Sequence, residues 1–145
     1  MSAYAGWRSE MPLLTWSSKY SVGVEAMDKQ HTILFTMIND LHAAMTKGQA
    51  QSITRDLLNK LAKYVHEHFA AEEAMMASTR YPELPKHRIL HRDLSQKVDE
   101  FAARYARGEG GLNVALLNFL RDWLTSHIQT VDHGYTSWMN EHGVR

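Results

Sequence analysis

Cysteine is absent from this chain, which excludes disulfides, iron-sulfur clusters and thiolate chemistry and leaves the redox compartment open. Charge of one sign is lacking as well. Sixteen Lys and Arg stand against sixteen Asp and Glu, so no net field and no dense basic block draws the chain to nucleic acid or an anionic membrane. No apolar run approaches the length of a membrane span. The start, Met1 to Leu14, mixes Tyr4, Trp7, Arg8, Ser9 and Glu10 with Pro12, where a signal peptide would carry a continuous apolar core. Strand-like alternation, internal repeats and low-complexity segments are missing too. These absences lead us to expect a soluble, cytoplasmic, monomeric protein that neither binds nucleic acid nor inserts into a membrane. A chain of 145 residues is the size of one domain and buries about two thirds of its unfolded surface without covalent staples.

What the chain does have is helical periodicity. Residues 1–24 show no period and carry Trp7, Trp16, Pro12 and the turn-like Ser21-Val22-Gly23. They are expected to form an N-terminal arm packed on a single domain over 25–145. Ile33, Leu34, Met37, Ile38, Leu41 and Met45 then recur at three and four residues, predicting a helix from near Asp28 to Gly48. Ser52 is a candidate cap for a second helix carrying Leu57, Leu58, Leu61, Tyr64, Val65, Phe69 and Met76 to about Ser78. Tyr81-Pro82-Glu83-Leu84-Pro85 breaks the chain, because neither proline fits a helix interior. A third helix follows with Ile89, Leu90, Leu94, Val98, Phe101 and Tyr105, and Gly108-Glu109-Gly110-Gly111 ends it. Asn113 is a candidate cap for a fourth, with Leu116, Leu117, Leu120, Trp123, Leu124 and Ile128 inside and Tyr135 and Trp138 in a short C-terminal segment. The expected fold is all-α, an up-down-up-down antiparallel four-helix bundle.

Nine histidines give the fold its chemistry. In antiparallel helices, residues equally far from the connecting turn lie at one height, since each rises about 1.5 Å per residue. His31 lies roughly 18 residues before the first turn and His68 roughly 19 after it; Glu72 and His91 are about 9 and 10 from the second turn, and His91 and His127 about 19 and 17 from the third. His68 and Glu72, like His87 and His91, are four apart and share a face. Asp132 follows His127 by five, a rotation of about 140° on a regular helix. A widened π-type turn, or the helix end, is therefore expected there. His42, His66, His133 and His142 are expected to be ordinary polar residues, and Glu67 and Glu73 to be solvated.

Imidazole with carboxylate suits iron, zinc, copper or nickel, and two bridging carboxylates among octahedral ligands favour a pair of irons. Two octahedral ions offer about 12 coordination positions; five imidazoles, two bridging carboxylates and a shared oxo or hydroxo group fill all but one. The remaining position suits a small diatomic ligand. Two carboxylates, rather than the four glutamates of ferritin-like oxidases, favour reversible binding over oxidation of a substrate. Phe35, Phe69, Trp123, Leu124 and Ile128 lie near this layer and would keep it dry.

The motifs Asp28-Lys29-Gln30-His31, His68-Phe69-Ala70-Ala71-Glu72-Glu73 with Met76, Tyr81-Pro82, His87-Arg88-Ile89-Leu90-His91, and Trp123-Leu124 leading to His127-Ile128 and Asp132 resemble the hemerythrins, specifically the single-domain bacteriohemerythrins. The resemblance runs from about Trp16 to Tyr135. It implies an oxo- or hydroxo-bridged di-iron centre with His87, His91 and His127 on one iron, His31 and His68 on the other, and Glu72 and Asp132 as bridges. It also implies dioxygen as the ligand at the iron held by His31 and His68, with Leu124 and Ile128 beside the oxygen pocket. The expected role is reversible oxygen binding for carriage, storage or supply to an oxygen-consuming enzyme, not catalysis. A sensor of oxygen, nitric oxide or iron, or a di-iron peroxidase or oxidase, is the alternative.

Overall fold

The computed structural model describes residues 12–109 and 111–145. Four long helices, α1 (Glu25–Thr46), α2 (Gln51–Ser78), α3 (Leu84–Ala106) and α4 (Asn113–Ser126), are followed by a short α5 (Thr136–Glu141). They form a four-helix bundle, with no strand among the described residues. Helix α1 packs on α2 and α4, and α2 packs on α3.

Helix starts differ from the sequence expectation in instructive ways. Helix α1 begins at Glu25 and not at Asp28, because Asp28 has another use: its Oδ1 accepts the Val22 N–H at 2.8 Å and its Oδ2 the Ser21 hydroxyl at 2.6 Å. Neither Ser52 nor Asn113 is a cap. Ala50 and Leu112 occupy those positions without side-chain bonds, and Ser52 and Asn113 lie inside the first turns. Pro85 enters the first turn of α3, where a missing N–H leaves no helix bond unmade. After α3, Gly108 at a φ of +76° turns the chain away through a conformation costly to other residues; Gly110 lies outside the described residues.

The largest correction concerns which face of α3 is inside. Ile89 and Leu90, expected in the buried stripe, are 50% and 40% exposed, and Ile33 on α1 is 46% exposed. The buried stripe of α3 is Leu84, His87, His91, Ser95, Val98, Phe101 and Tyr105. Its phase is set by two histidines, which an apolar count leaves out.

Residues 12–24 lie against the middle of α1 and against the C-terminal segment. Leu14 exchanges two hydrogen bonds with the Asn39 amide, each 2.8 Å, and Trp16 and Tyr20 set their rings edge-on to Phe35. Thr136 and Asn140 donate to the carbonyls of Val22 and Gly23. Gly23 has a φ of +70°, and a Cβ there would meet Thr136 Cγ2 at 2.6 Å, so no larger residue fits without movement. Trp7 and the rest of 1–11 lie outside the described residues. No described helix is long and apolar enough to cross a membrane.

Candidate metal centre

Each long helix delivers part of one buried cluster. α1 brings His31, α2 brings His68 and Glu72, α3 brings His87 and His91, and the end of α4 brings His127 and Asp132; none is more than 6% exposed. The last pair meets because His127–Val131 is a π turn, in which the Asp132 N–H donates to the His127 carbonyl five residues back. His127 Nε2 and Asp132 Oδ1 are thereby 3.0 Å apart. A one-turn 3-10 segment, Asp132–Tyr135, leads on to α5.

All five imidazoles turn Nε2 towards the two carboxylates. Glu72 directs Oε1 at His91 (3.0 Å) and His87 (3.3 Å), and Oε2 at His31 (3.5 Å) and His68 (3.7 Å). Asp132 divides likewise, with Oδ1 at His87 (2.9 Å) and His127 (3.0 Å) and Oδ2 at His31 (3.2 Å). The ligand atoms fall into two groups, Glu72, His87, His91, His127 and Asp132, and His31, His68, Glu72 and Asp132, each within a 4.8 Å span. Both carboxylates belong to both groups.

Apart from the His87 Nε2 to Asp132 Oδ1 hydrogen bond at 2.9 Å, these contacts are poor as hydrogen bonds. His31 Nε2, His91 Nε2, His127 Nε2, Glu72 Oε1 and Asp132 Oδ2 are buried without a hydrogen-bond partner among the described residues, a costly arrangement unless a further group satisfies them. On the far side of the rings, His68 Nδ1 lies 2.7 Å from Gln30 Oε1 and His91 Nδ1 2.9 Å from Glu73 Oε2. A carboxylate and an amide oxygen only accept, so each Nδ1 must carry the ring proton. A neutral ring then points a bare Nε2 lone pair at a carboxylate oxygen, which is repulsive until a cation lies between them. The donor set therefore fits metal.

The electrostatics divide the imidazoles into one kept neutral and two that hold a proton when no cation is present. Burial lowers the His68 pKa to about 4, so this ring stays neutral. Burial also works against charged His31 and His87, but the Asp132 and Glu72 carboxylates outweigh it and push both up to about 9. Burial opposes the charge on Glu72 too, yet His31, His87 and His91 hold its carboxyl well below the usual range. Asp132 is lowered against its own burial and the nearby Glu72, with His127 and His31 prevailing. Burial, then Glu72, raises Tyr135, whose hydroxyl donates to Glu72 Oε2 at 2.8 Å.

Apolar residues close the layer. Phe69 stacks on His91 with ring centroids 3.8 Å apart and meets Trp123 edge-on at 5.8 Å. Leu124 and Ile128, 2% and 1% exposed, flank His127 in sequence, and Phe35 is buried on α1. Of the histidines expected to be ordinary, His66 pairs with Asp99 at the surface, His142 stacks on Trp138, His42 is half-buried and His133 exposed. Glu67 is exposed beside Lys63. Glu73 is the correction: it is bound to His91. Gln30 and Tyr135 were likewise not singled out as partners of the cluster. For Gln30 and Glu73 the available signal was adjacency to His31 and Glu72; no spacing pointed to the Tyr135 contact.

Comparison with known proteins agrees with this geometry. The profile of the hemerythrin HHE cation-binding domain matches residues 22–139. The bacteriohemerythrin of Stenotrophomonas maltophilia is 30% identical over 132 residues, covering 91% of this chain and 85% of that protein. That of Methylococcus capsulatus is 32% identical over 126 residues, covering 86% and 95%. The myohemerythrin of Riftia pachyptila is 30% identical over 83% of this chain and 88% of its own. Among solved structures, wild-type hemerythrin superposes with a TM-score of 0.83 at 31% identity, over 88% of this chain and 98% of that one.

Proposed function

This chain belongs to the hemerythrin family, and from that membership and the site geometry we propose that it binds dioxygen reversibly at a pair of irons, for carriage, storage or supply to an oxygen-consuming enzyme. The observation that carries the reading is the division of both carboxylates: Glu72 and Asp132 each turn one oxygen to the group with three histidines and one to the group with two. His87, His91 and His127 would hold one ion, His31 and His68 the other, and Glu72 and Asp132 both. When bound, the irons supply the electrons that dioxygen takes up and gives back.

The protein's own residues set the conditions for reversibility. The half with His31 and His68 has one histidine fewer than its neighbour, which leaves room there for a small ligand. Leu124 and Ile128, buried and close to His127 in sequence, would form the apolar side of this pocket as the family resemblance implies, excluding water that would solvate a departing anion. Phe69 and Trp123 hold the imidazoles of the other half in place. Tyr135 fixes the Glu72 carboxylate on the side of Oε2, which faces His31 and His68.

The test is oxygen uptake by anaerobically reduced, iron-loaded protein, followed optically. Uptake with release under vacuum is expected. Uptake without release would rule out carriage, and steady turnover with a reductant that vanishes in His68→Ala would make the protein an enzyme.

A further inference from the structure

Resting on this two-iron reading, we propose that Glu73 is a positioning residue for His91, and that its contrast with Gln30 behind His68 makes the two halves of the centre unequal, so that a divalent cation fills the His87, His91 and His127 half first. The two histidines are held in the same way but by different chemistry. Behind His91, Glu73 Oε2 accepts the Nδ1 proton at 2.9 Å, while Glu73 Oε1 lies 3.4 Å from Arg88 Nε. Behind His68, Gln30 Oε1 accepts the Nδ1 proton at 2.7 Å. Behind His31 there is nothing of the kind: its Nδ1 is buried without a partner among the described residues.

An anionic acceptor draws the ring proton towards itself and raises the electron density at the opposite nitrogen, making that nitrogen the stronger donor to a cation. A neutral amide fixes ring and tautomer equally well but adds less density. Glu73 is well placed for the stronger effect. It follows Glu72 on α2, so one helical turn aims one carboxylate into the centre and the next at the outer nitrogen of a histidine on α3. Arg88, one residue after His87, keeps Glu73 turned towards His91 and compensates part of its charge. The weaker half is then the one whose histidines are backed by an amide or by nothing. This is also the half with fewer protein ligands, where lability suits exchange of a small ligand.

The experiment is a titration of metal-free protein with cobalt(II) alone, followed by calorimetry and by the visible absorption of the bound ion. Wild type is expected to bind in two resolved steps. In Glu73→Gln, where an amide still fixes the ring but adds less density, the first step weakens by about 10-fold, the low end of the range for disturbing a partner behind a ligand, while the second step and the melting temperature of the metal-free protein stay as they were. Gln30→Glu is expected to strengthen the second step and narrow the gap. Arg88→Ala, which frees Glu73 to swing into solvent, repeats the Glu73→Gln change at smaller size. Two steps of which Glu73→Gln shifts neither, or both equally with a fall in the metal-free melting temperature, would overturn the inference and leave the two-cation reading standing. A wild-type protein that takes up a single cobalt would contradict that reading itself, and the inequality with it.

Discussion

The two ends of the bundle are built on opposite principles. At the end bounded by the α1–α2 and α3–α4 connections, the inward positions are apolar: Ile38, Leu41, Leu58, Leu61, Val98, Phe101, Leu116 and Leu120, none above 7% exposed. Towards the other end the same helical stripes carry His31, His68, Glu72, His87, His91, His127 and Asp132, equally buried, before Met27, Met76, Leu84 and Met139 close that end with apolar side chains. The first end is stabilised by removing apolar surface from water, at about 25 cal/mol for each Å². The second buries charges and lone pairs whose desolvation is offset only by histidine-carboxylate contacts and, when loaded, by metal. The apolar core and the candidate metal centre are thus set apart along one axis of the bundle.

Breaking the polar end should have the largest effect. Glu72→Ala removes the oxygen donors shared by both histidine groups, and is expected to abolish stoichiometric iron uptake and to lower the stability of the loaded protein by about 3–5 kcal/mol, as for a buried charge left without its partner. Metal analysis with thermal unfolding in the presence of iron measures both. At the apolar end, Leu61→Ala should cost about 2–5 kcal/mol, equally with and without iron, and leave iron content unchanged. A loss of metal from that variant would mean that the ends are not separable. Leu124 is buried three residues before His127; for Leu124→Ala a stability cost in the same range is expected, and autoxidation should speed severalfold as water enters. An unchanged autoxidation rate would make Leu124 plain core.

The smallest effect is one of pH, and its sign should reverse with loading. In the metal-free protein His31 and His87, pushed up to about 9, contribute stability in full below the ordinary 6.5 and lose it as pH rises through 9. Glu72 and Asp132, pushed down, contribute above the ordinary carboxylate range and lose this as pH falls through their lowered values. Chemical denaturation across pH should show metal-free stability falling on the alkaline side. The loaded protein should instead gain there, because protons no longer compete with metal for the imidazoles.

Much of this contrast was legible in the sequence, because heights in an antiparallel bundle follow from residue counts alone. His31, His68, Glu72, His91 and His127 could be placed in one layer that way, and the awkward spacing of five between His127 and Asp132 pointed to the π turn that the structure contains. Legibility failed where rotation between neighbouring helices decides the outcome. Ile89 and Leu90 look like core until the stripe is phased on His87 and His91. Glu73 looks solvated until α3 is turned so that His91 Nδ1 meets it. Ser52 and Asn113 have the chemistry of caps, but the helices start one residue or more ahead of where capping would need them. Asp28, with cap-like chemistry of its own, serves instead to hold Ser21 and Val22.

The most direct test of the two-ended account is a crystal structure of iron-loaded protein with anomalous scattering recorded at the iron edge. It should place two peaks between Glu72 and Asp132, one among His87, His91 and His127 and the other beside His31 and His68, with the apolar end unchanged. A single peak, or iron held anywhere outside these seven side chains, would contradict it.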